Sequence, residues 1–503
     1  MAKKSLKISR AQRKIINFIK NGGTLKVKAF AGTGKTTTLV FLAEENIQFR
    51  ILYLVFGKAN EVDARKKFPR NTQIKTTHAL ALQYLHYHSD LNLKKIRGSY
   101  KAKEISDLYD CDIELAQQAI HVFENFCHSS SHTFFEFIGD DDIIGLPKKM
   151  FDDMIKGKID ITHDFYLKYF HLSIIHKGPP RLNFDIAMID EAQDTNMVTL
   201  DIFLRLNIHT KIYVGDENQQ IFAFRGSRDI MRMVESEELP LLETFRFHQE
   251  IADLSNKLLK RFKNEKNEII TKVKKSKKEL KDTCYISRTN SKLIQTINEL
   301  IMDDIKFKTI REPKILFKLI EEVFYLANNR KKEIKTNFFL KRFKDLEELA
   351  DYADAVDDVE LKSTIKTYKE FGIKIFNFRD IATKYYEDDT NNINTYLATA
   401  HVSKGLEWDK VIITDDFAEF TQSIAKTKYK TILSFRKNIN SIDPLIVNEF
   451  NLFYVAMTRA KQELEILSAN KKFLDISEAD LNTAIREAIS DKQKKEIGKQ
   501  VNA

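Results

Sequence analysis

Apolar residues in this 503-residue chain gather in short runs at 25–30, 51–56, 186–189 and 212–214, each closed by a polar turn. Between them lie stretches whose apolar positions recur every three to four residues. Short, continuously apolar runs are expected of strands buried on both faces, and the intervening period is that of helices packed on a sheet. A second set of runs follows at 239–242, 284–287, 395–400, 411–414 and 464–467. The pattern therefore predicts two α/β cores with parallel sheets. Each is broken by a stretch of helical periodicity. The first, 91–181, is rich in His and has the breakers Gly145-Leu146-Pro147 and Gly178-Pro179-Pro180 near its end. The second, 301–392, contains the acidic run KDLEELADYADAVDDVE. The predicted organisation is a first core at 1–90 and 182–240, a second core at 241–300 and 393–475, an insertion in each, and a polar tail at 476–503. No internal repeat or low-complexity tract is visible, and the length suits about three to four domains.

Two segments add chemistry to this pattern. The first apolar run leads into AFAGTGKT, residues 29–36, and then into the helical run TTTLVFLA. This is a phosphate-binding loop at a helix N-terminus, with Ala29 where the strict pattern has Gly. Gly32, Thr33 and Gly34 let backbone N–H groups face an anion. Lys35 suits the β- and γ-phosphates, Thr36 suits Mg²⁺, and Thr37 continues the loop. The run 186–189 ends in Asp190 and Glu191. Two acids at a strand end divide naturally between holding Mg²⁺ through its water shell (Asp190) and polarising an attacking water (Glu191). An ordinary Gly-rich turn and an acidic surface turn are the alternatives. Their occurrence in this order on one chain argues against both.

Composition narrows the partners. With 82 Lys and Arg against 72 Asp and Glu, the net charge is +10 and the pI about 9.0, which fits a polyanion. Lys and Arg concentrate between 260 and 281, a solvated segment or a nucleic-acid contact. No run approaches the ~18 apolar residues of a membrane span. The basic start lacks the apolar stretch of a secretory signal. Cys111, Cys127 and Cys284 show no paired spacing, as expected in a reducing intracellular compartment. Cys127, His128 and His132, with His121 nearby, lack a fourth ligand at zinc spacing and read as structural or surface residues.

The segment Gly215-Asp216-Glu217-Asn218-Gln219-Gln220-Ile221-Phe222-Ala223-Phe224-Arg225-Gly226 brings in a family. Its GDxxQxI spacing, followed by aromatic-x-aromatic-Arg-Gly, resembles the coupling segment of UvrD/Rep-type superfamily 1 DNA helicases. The resemblance implies that Gln219 senses the γ-phosphate and that Phe222 and Phe224, beside Arg225, stack on single-stranded bases. Other segments agree in order. Gln12 stands where the family reads adenine. Phe56 and Lys58 resemble the segment lining the DNA groove, and Thr76 and His78 the next DNA-contacting one. Phe245 and Arg246 match the motif whose aromatic stacks on adenine and whose Arg reaches the γ-phosphate. His401 and Glu407 lie in Thr399-Ala400-His401-Val402-Ser403-Lys404-Gly405-Leu406-Glu407-Trp408, which resembles the family's fifth motif, with Glu407 placed near the ribose. Arg459, in YVAMTRA, stands as a second arginine finger. The likeness runs from Gln12 to about Ala460. With Thr162-His163-Asp164-Phe165-Tyr166-Leu167-Lys168-Tyr169-Phe170, it is nearest the F-box DNA helicase branch, here without room for an F-box or a nuclease domain.

The resemblance implies two tandem RecA-like P-loop cores, each interrupted by a mostly helical insertion, with ATP and Mg²⁺ acted on by both. It implies a monomeric single-stranded DNA translocase that moves 3′ to 5′ and unwinds tailed duplexes in repair, recombination or replication. A related reading makes its main task the removal of proteins, such as recombinase filaments, from DNA. A loader or recombinase is the protein partner these readings name. A nucleotide-gated scaffold with little turnover is the contrasting class. Localisation would be cytoplasmic for a prokaryotic or viral source and nuclear for a eukaryotic one.

Overall fold

The computed structural model describes residues 7–139, 141–222, 230–276, 279–356, 358–388 and 393–501. The chain divides into two units, Met1–Leu241 and Leu242–Ala503.

The first unit is built on strands β1 (Gly23–Ala29), β2 (Ile51–Leu54), β3 (Thr72–Lys75), β6 (Ile186–Ile189), β7 (Thr210–Gly215) and β8 (Glu237–Leu241), in the spatial order β3-β2-β6-β7-β1-β8. All pairings are parallel. The central strands are apolar throughout because both faces are covered. On β2, Ile51 and Tyr53 enter one core with Leu25, Val27 and Leu39. Leu52 and Leu54 enter the other with Phe123, Phe165 and Phe170 of the insertion. The insertion therefore shares a core with the sheet it interrupts. Its main helices are Ile113–His128 and His163–Lys177, and a short parallel pair, β4 (Ile96–Arg97) with β5 (Ile161–Thr162), ties its two ends together. Helices α1 (Arg10–Phe18), α2 (Lys35–Glu45), α3 (Lys58–Lys67) and α4 (Thr77–His88) connect and flank the first strands.

Two features depart from the apolar pattern. The run at 239–242 was expected to begin the second set, but β8 pairs with β1, Leu25 opposite Glu237 and Ala29 opposite Leu241. Leu241 is buried in the first core. Pro240 is compatible with this because β8 is an edge strand, where a missing N–H costs no ladder bond. The pattern also omits β3, whose sequence TQIK buries little besides Ile74 and Thr72.

In the second unit, β11 (Thr283–Ser287), β12 (Phe307–Thr309), β13 (Thr395–Thr399), β14 (Trp408–Ile413) and β15 (Ala460–Ile466) form a parallel sheet in the order β12-β13-β11-β14-β15. A two-residue parallel pair, β9 (Glu243–Thr244) with β10 (Ile270–Thr271), precedes it. The second insertion is helical, with Lys318–Ala327, Val359–Phe371 and Lys374–Glu387. Val323, Leu349 and Leu361 centre a core of its own. The polar tail is helical from Glu478 to Val501; Leu481 and Ile485 are fully buried and anchor its first turns.

One buried charge in the first insertion gives a testable consequence. Lys168 is 0% exposed. Its ammonium donates to the carbonyls of Ser129 (2.8 Å) and Ser131 (2.6 Å), just past the helix Ile113–His128, and lies 4.4 Å from the Phe126 ring centre. Burial pushes its pKa down to about 8. The unfolded chain holds this proton to about pH 10.4, the folded chain only to about 8. Wild-type stability should therefore rise relative to Lys168→Met between those pH values. Urea unfolding of both proteins at about pH 7.5 and pH 10 checks this; a constant gap would contradict a buried titrating ammonium.

Candidate active site

The loop between β1 and α2 takes its shape from two left-handed glycines, Gly32 at φ 72° and Gly34 at φ 76°. Gly34 is the N-cap of α2, and its carbonyl accepts from the backbone N–H of Thr38 at 2.8 Å. A side chain at φ > 0 would strain the turn that aims the helix N-terminus. Thr33 closes the loop through its hydroxyl on the Phe30 carbonyl, 2.8 Å. Lys35, Thr36 and Thr37 then open α2.

The acids arrive from β6. The backbone turns sharply at Glu191, which adopts φ 49°, a left-handed conformation uncommon for a non-Gly residue and typical of functional sites. Asp190 Oδ2 lies 3.2 Å from the Thr36 hydroxyl and 2.6 Å from the Tyr53 hydroxyl, and both donate to it. Glu191 Oε2 lies 3.2 Å from Lys35 Nζ. Residues some 155 positions apart thus converge on one spot. Burial pushes the Asp190 carboxyl up and adjacent Glu191 adds to it, opposed by Lys35. Burial pulls Lys35 down, yet Glu191, Asp216 and Asp190 outweigh it and hold the ammonium above its ordinary value. Lys35 is therefore a firmly charged cation inside an acidic cluster. A hydroxyl and a carboxylate side by side are hard oxygen donors, the set that suits Mg²⁺; Thr36 and Asp190 fit that ion.

A chain of amides extends from this cluster. Gln193 Nε2 donates to Glu191 Oε2 at 2.6 Å, and its Oε1 accepts from the backbone of Asp216 at 3.0 Å. A side chain at Gly215 would meet Gln193 Oε1 at 2.5 Å, so only Gly allows this approach. Asp216 Oδ2 in turn accepts from Gln219 Nε2 at 2.7 Å. Gln219 is thereby linked to Glu191 through two intermediaries, with Phe222 three residues beyond it. Sequence reasoning gave no role to Tyr53 or Gln193. The signal for Tyr53 was a polar tip inside the apolar run 51–56. Gln193 had no signal beyond its place between Glu191 and Asp194.

Gln12 is buried beside the loop. Its Nε2 donates to Thr38 at 3.0 Å and its Oε1 accepts from Ser9 N at 2.9 Å, so the amide is anchored on α2. Contact with a base would require these bonds to exchange.

A cavity of about 470 Å³ opens beside Asp190 in the same unit. Phe56, Lys58, Thr76, His78 and Phe222 all line it, with His128 and Asp164 of the insertion. Phe56 is 55% exposed. Thr76 caps α4 through the N–H of Ala79. Burial lowers the pKa of His78, with Asp164 opposing. Burial also works against charge on His128, but Asp164 at 3.2 Å outweighs it and raises that pKa. Five sequence-predicted residues are thus brought together. Phe224 and Arg225 lie outside the described residues. Among the described residues no three His, Cys, Asp or Glu are placed to hold a metal; Cys127 is buried and His128 is paired with Asp164.

The second unit brings together its own set. Arg246 Nη1 donates to the Thr458 carbonyl at 3.0 Å, and its Nε lies 2.9 Å from Glu407 Oε2. Phe245 is exposed beside it. Arg459 is only 1% exposed. Its guanidinium donates to the Val455 carbonyl (2.9 Å), the Leu406 carbonyl (3.3 Å) and the Thr458 hydroxyl (3.1 Å). It therefore ties the end of helix Pro444–Met457 to the segment before β14. His401 lies in the short helix Ala400–Ser403 after β13.

Comparison with known proteins matches both units. Residues 151–238 match the UvrD/REP helicase N-terminal domain, and residues 256–471 the UvrD-like helicase C-terminal domain. The chain is 28% identical to F-box DNA helicase 1 of Gallus gallus, over 91% of this chain and 48% of that protein. It is 27% identical to F-box DNA helicase protein 1 of Schizosaccharomyces pombe, over 88% of this chain and 55% of that one. It is 24% identical to the Gabija protein GajB of Bacillus cereus, over 92% and 96%. The chain spans about half the length of the two F-box helicases. The first match holds Asp190, Glu191 and Gln219, and the second holds His401, Glu407 and Arg459. The phosphate loop lies outside both, but its Lys35 and Thr36 sit against the matched acids. The chain thus carries UvrD-like helicase N-terminal and C-terminal domains, in that order.

Proposed function

We propose that the protein is an ATP-driven DNA helicase that translocates along a single strand. The observation that carries this reading is the convergence of Lys35 on Glu191 and of Thr36 on Asp190, both at 3.2 Å. In this reading Lys35 and the loop N–H groups hold the β- and γ-phosphates, and Glu191 accepts the proton of the attacking water. Thr36 and Asp190 would hold Mg²⁺, which supplies charge neutralisation at the phosphates. Gln219, tied to Glu191 through Asp216 and Gln193, relays the state of the γ-phosphate toward Phe222. By the family pattern, Phe245, Arg246, Glu407 and Arg459 act on the same nucleotide, and Gln12 on its base. Movement from 3′ to 5′ is likewise proposed from the family pattern.

The DNA side is supported by the cavity that gathers Phe56, Lys58, Thr76, His78 and Phe222. Base stacking needs only a π-face and is worth ~1–3 kcal/mol per base. Phe56→Ala should therefore weaken single-strand affinity about tenfold while leaving the thermal midpoint nearly unchanged, because the ring is already more than half exposed. Fluorescence anisotropy and a melting curve on the same variant decide this. A large fall in midpoint with unaltered affinity would make Phe56 a packing residue. The function itself is tested by ATP hydrolysis with and without single-stranded DNA: strong stimulation is expected, whereas a nucleotide-gated scaffold would show little turnover in either case.

A further inference from the structure

The first unit carries a groove of about 990 Å³ that the proposed mechanism does not use. Its floor is β3, the edge strand opposite β8, and its walls are the second half of α4 and the return segment 177–184. The breaker Gly178-Pro179-Pro180 forms part of that return. Six cations line the groove: Arg50, Arg65, Arg70, Lys75, Lys177 and Arg181. No Asp or Glu does. Over the whole chain acids nearly balance bases, 72 against 82, so a six-to-none lining is a strong local excess. Arg50, Arg70, Lys177 and Arg181 are exposed, and among the described residues none of their side chains forms an ion pair. Arg65 is held in place by Glu61 and by the Ile74 carbonyl on β3. Burial, and then the charge of Arg65, lower the pKa of Lys75, with Glu61 opposing; its ammonium donates to the Gln83 amide oxygen, 2.6 Å away. Apart from Glu61 beneath Arg65, these clustered cations have no paired carboxylate among the described residues; they raise one another's energy, and an anionic ligand relieves this.

The lining also offers rings. Tyr84 and His88 lie with centroids 4.6 Å apart, and Tyr87 is 73% exposed. A basic groove beside exposed aromatics fits single-stranded nucleic acid, with phosphates on the cations and a base on Tyr87. The groove also adjoins the DNA cavity: Lys75 lines the groove, and the next residue, Thr76, lines the cavity with Phe56.

We infer that this edge groove is a second binding site for single-stranded nucleic acid, taking the continuation of the strand held in the Phe56 cavity. The inference rests on the DNA-motor reading for the identity of that strand. Its function is to lengthen the occluded site and raise retention on DNA without touching the nucleotide chemistry.

The test uses the full chain and the double variant R70E/R181E, both positions exposed, neither lining the Phe56 cavity nor belonging to the nucleotide cluster. Binding of an oligonucleotide of about 8 nucleotides and one of about 30 is measured across a salt series, with a blunt duplex alongside. For the long oligonucleotide, the variant should lose about tenfold in affinity, and its log–log salt slope should fall by about 1.4, the value for two single-strand phosphates. Its affinity for the short oligonucleotide, its ATPase with that oligonucleotide and its thermal midpoint should match wild type. Tyr87→Ala should also weaken the long oligonucleotide and spare the short one. Unchanged long-strand affinity in R70E/R181E overturns the inference. So does a loss confined to the blunt duplex, or a loss of polyglutamate binding with oligonucleotide binding intact, which would assign the groove to an acidic protein segment. A wild type that binds neither oligonucleotide overturns the motor reading together with the groove. A variant equal to a DNA-binding wild type overturns the groove alone.

Discussion

Glu191→Gln should bind ATP and single-stranded DNA normally and turn over on the order of 10²-fold more slowly, or worse. Glu191 is the acid adjoining Asp190 at the end of β6, and its left-handed backbone turn sets it against Lys35. The amide oxygen of Gln can still accept from Lys35 and from Gln193, so the loop and the bridge to Asp216 should survive. What is lost is a base able to take the water's proton. Steady-state ATPase, read beside nucleotide and oligonucleotide affinities, isolates that loss. Near-normal turnover would remove Glu191 from the chemistry and leave it a partner of Lys35.

Arg246→Ala should lower DNA-stimulated ATPase by about 10³-fold, the scale of arginine-finger loss, while single-strand affinity without nucleotide holds. Arg246 is a cleaner probe than Arg459. Arg459 is buried and satisfies three acceptors, so its truncation would cost about 1–3 kcal/mol of stability besides any catalytic effect. Arg246 meets Glu407 and the Thr458 carbonyl at a partly exposed position, where loss of a pair costs little. ATPase per bound complex and oligonucleotide affinity are measured together. If affinity falls and ATPase per complex does not, Arg246 contacts DNA instead.

The central strands were legible because a strand covered on both faces must be apolar at every position. The run 186–189 coincides with β6, and 212–214 lies within β7. Edge strands carry a weaker signal: β3 and β12, each at a sheet end, had no continuous apolar run. The assignment of 239–242 to the second set failed because periodicity fixes a strand's type and not its sheet; parallel pairing with β1 is a long-range fact. Within the candidate site, the loop, the acidic pair and five of the residues lining the Phe56 cavity were given roles from spacing and family order; His128 and Asp164, which also line it, were not. Tyr53 and Gln193 were not, since each acts by holding another side chain, and their contacts exist only once β2, β6 and β7 lie side by side. The groove at β3 was invisible for the same reason: its cations come from four segments between residues 50 and 181.

The most direct test of the account is strand displacement from 3′-tailed, 5′-tailed and blunt duplexes, with ATP and without. The account predicts ATP-dependent displacement from the 3′-tailed duplex, none from the blunt one, and loss of activity in Lys35→Ala. ATP-independent displacement, or none from either tailed duplex with no stimulation of ATPase by DNA, would contradict it.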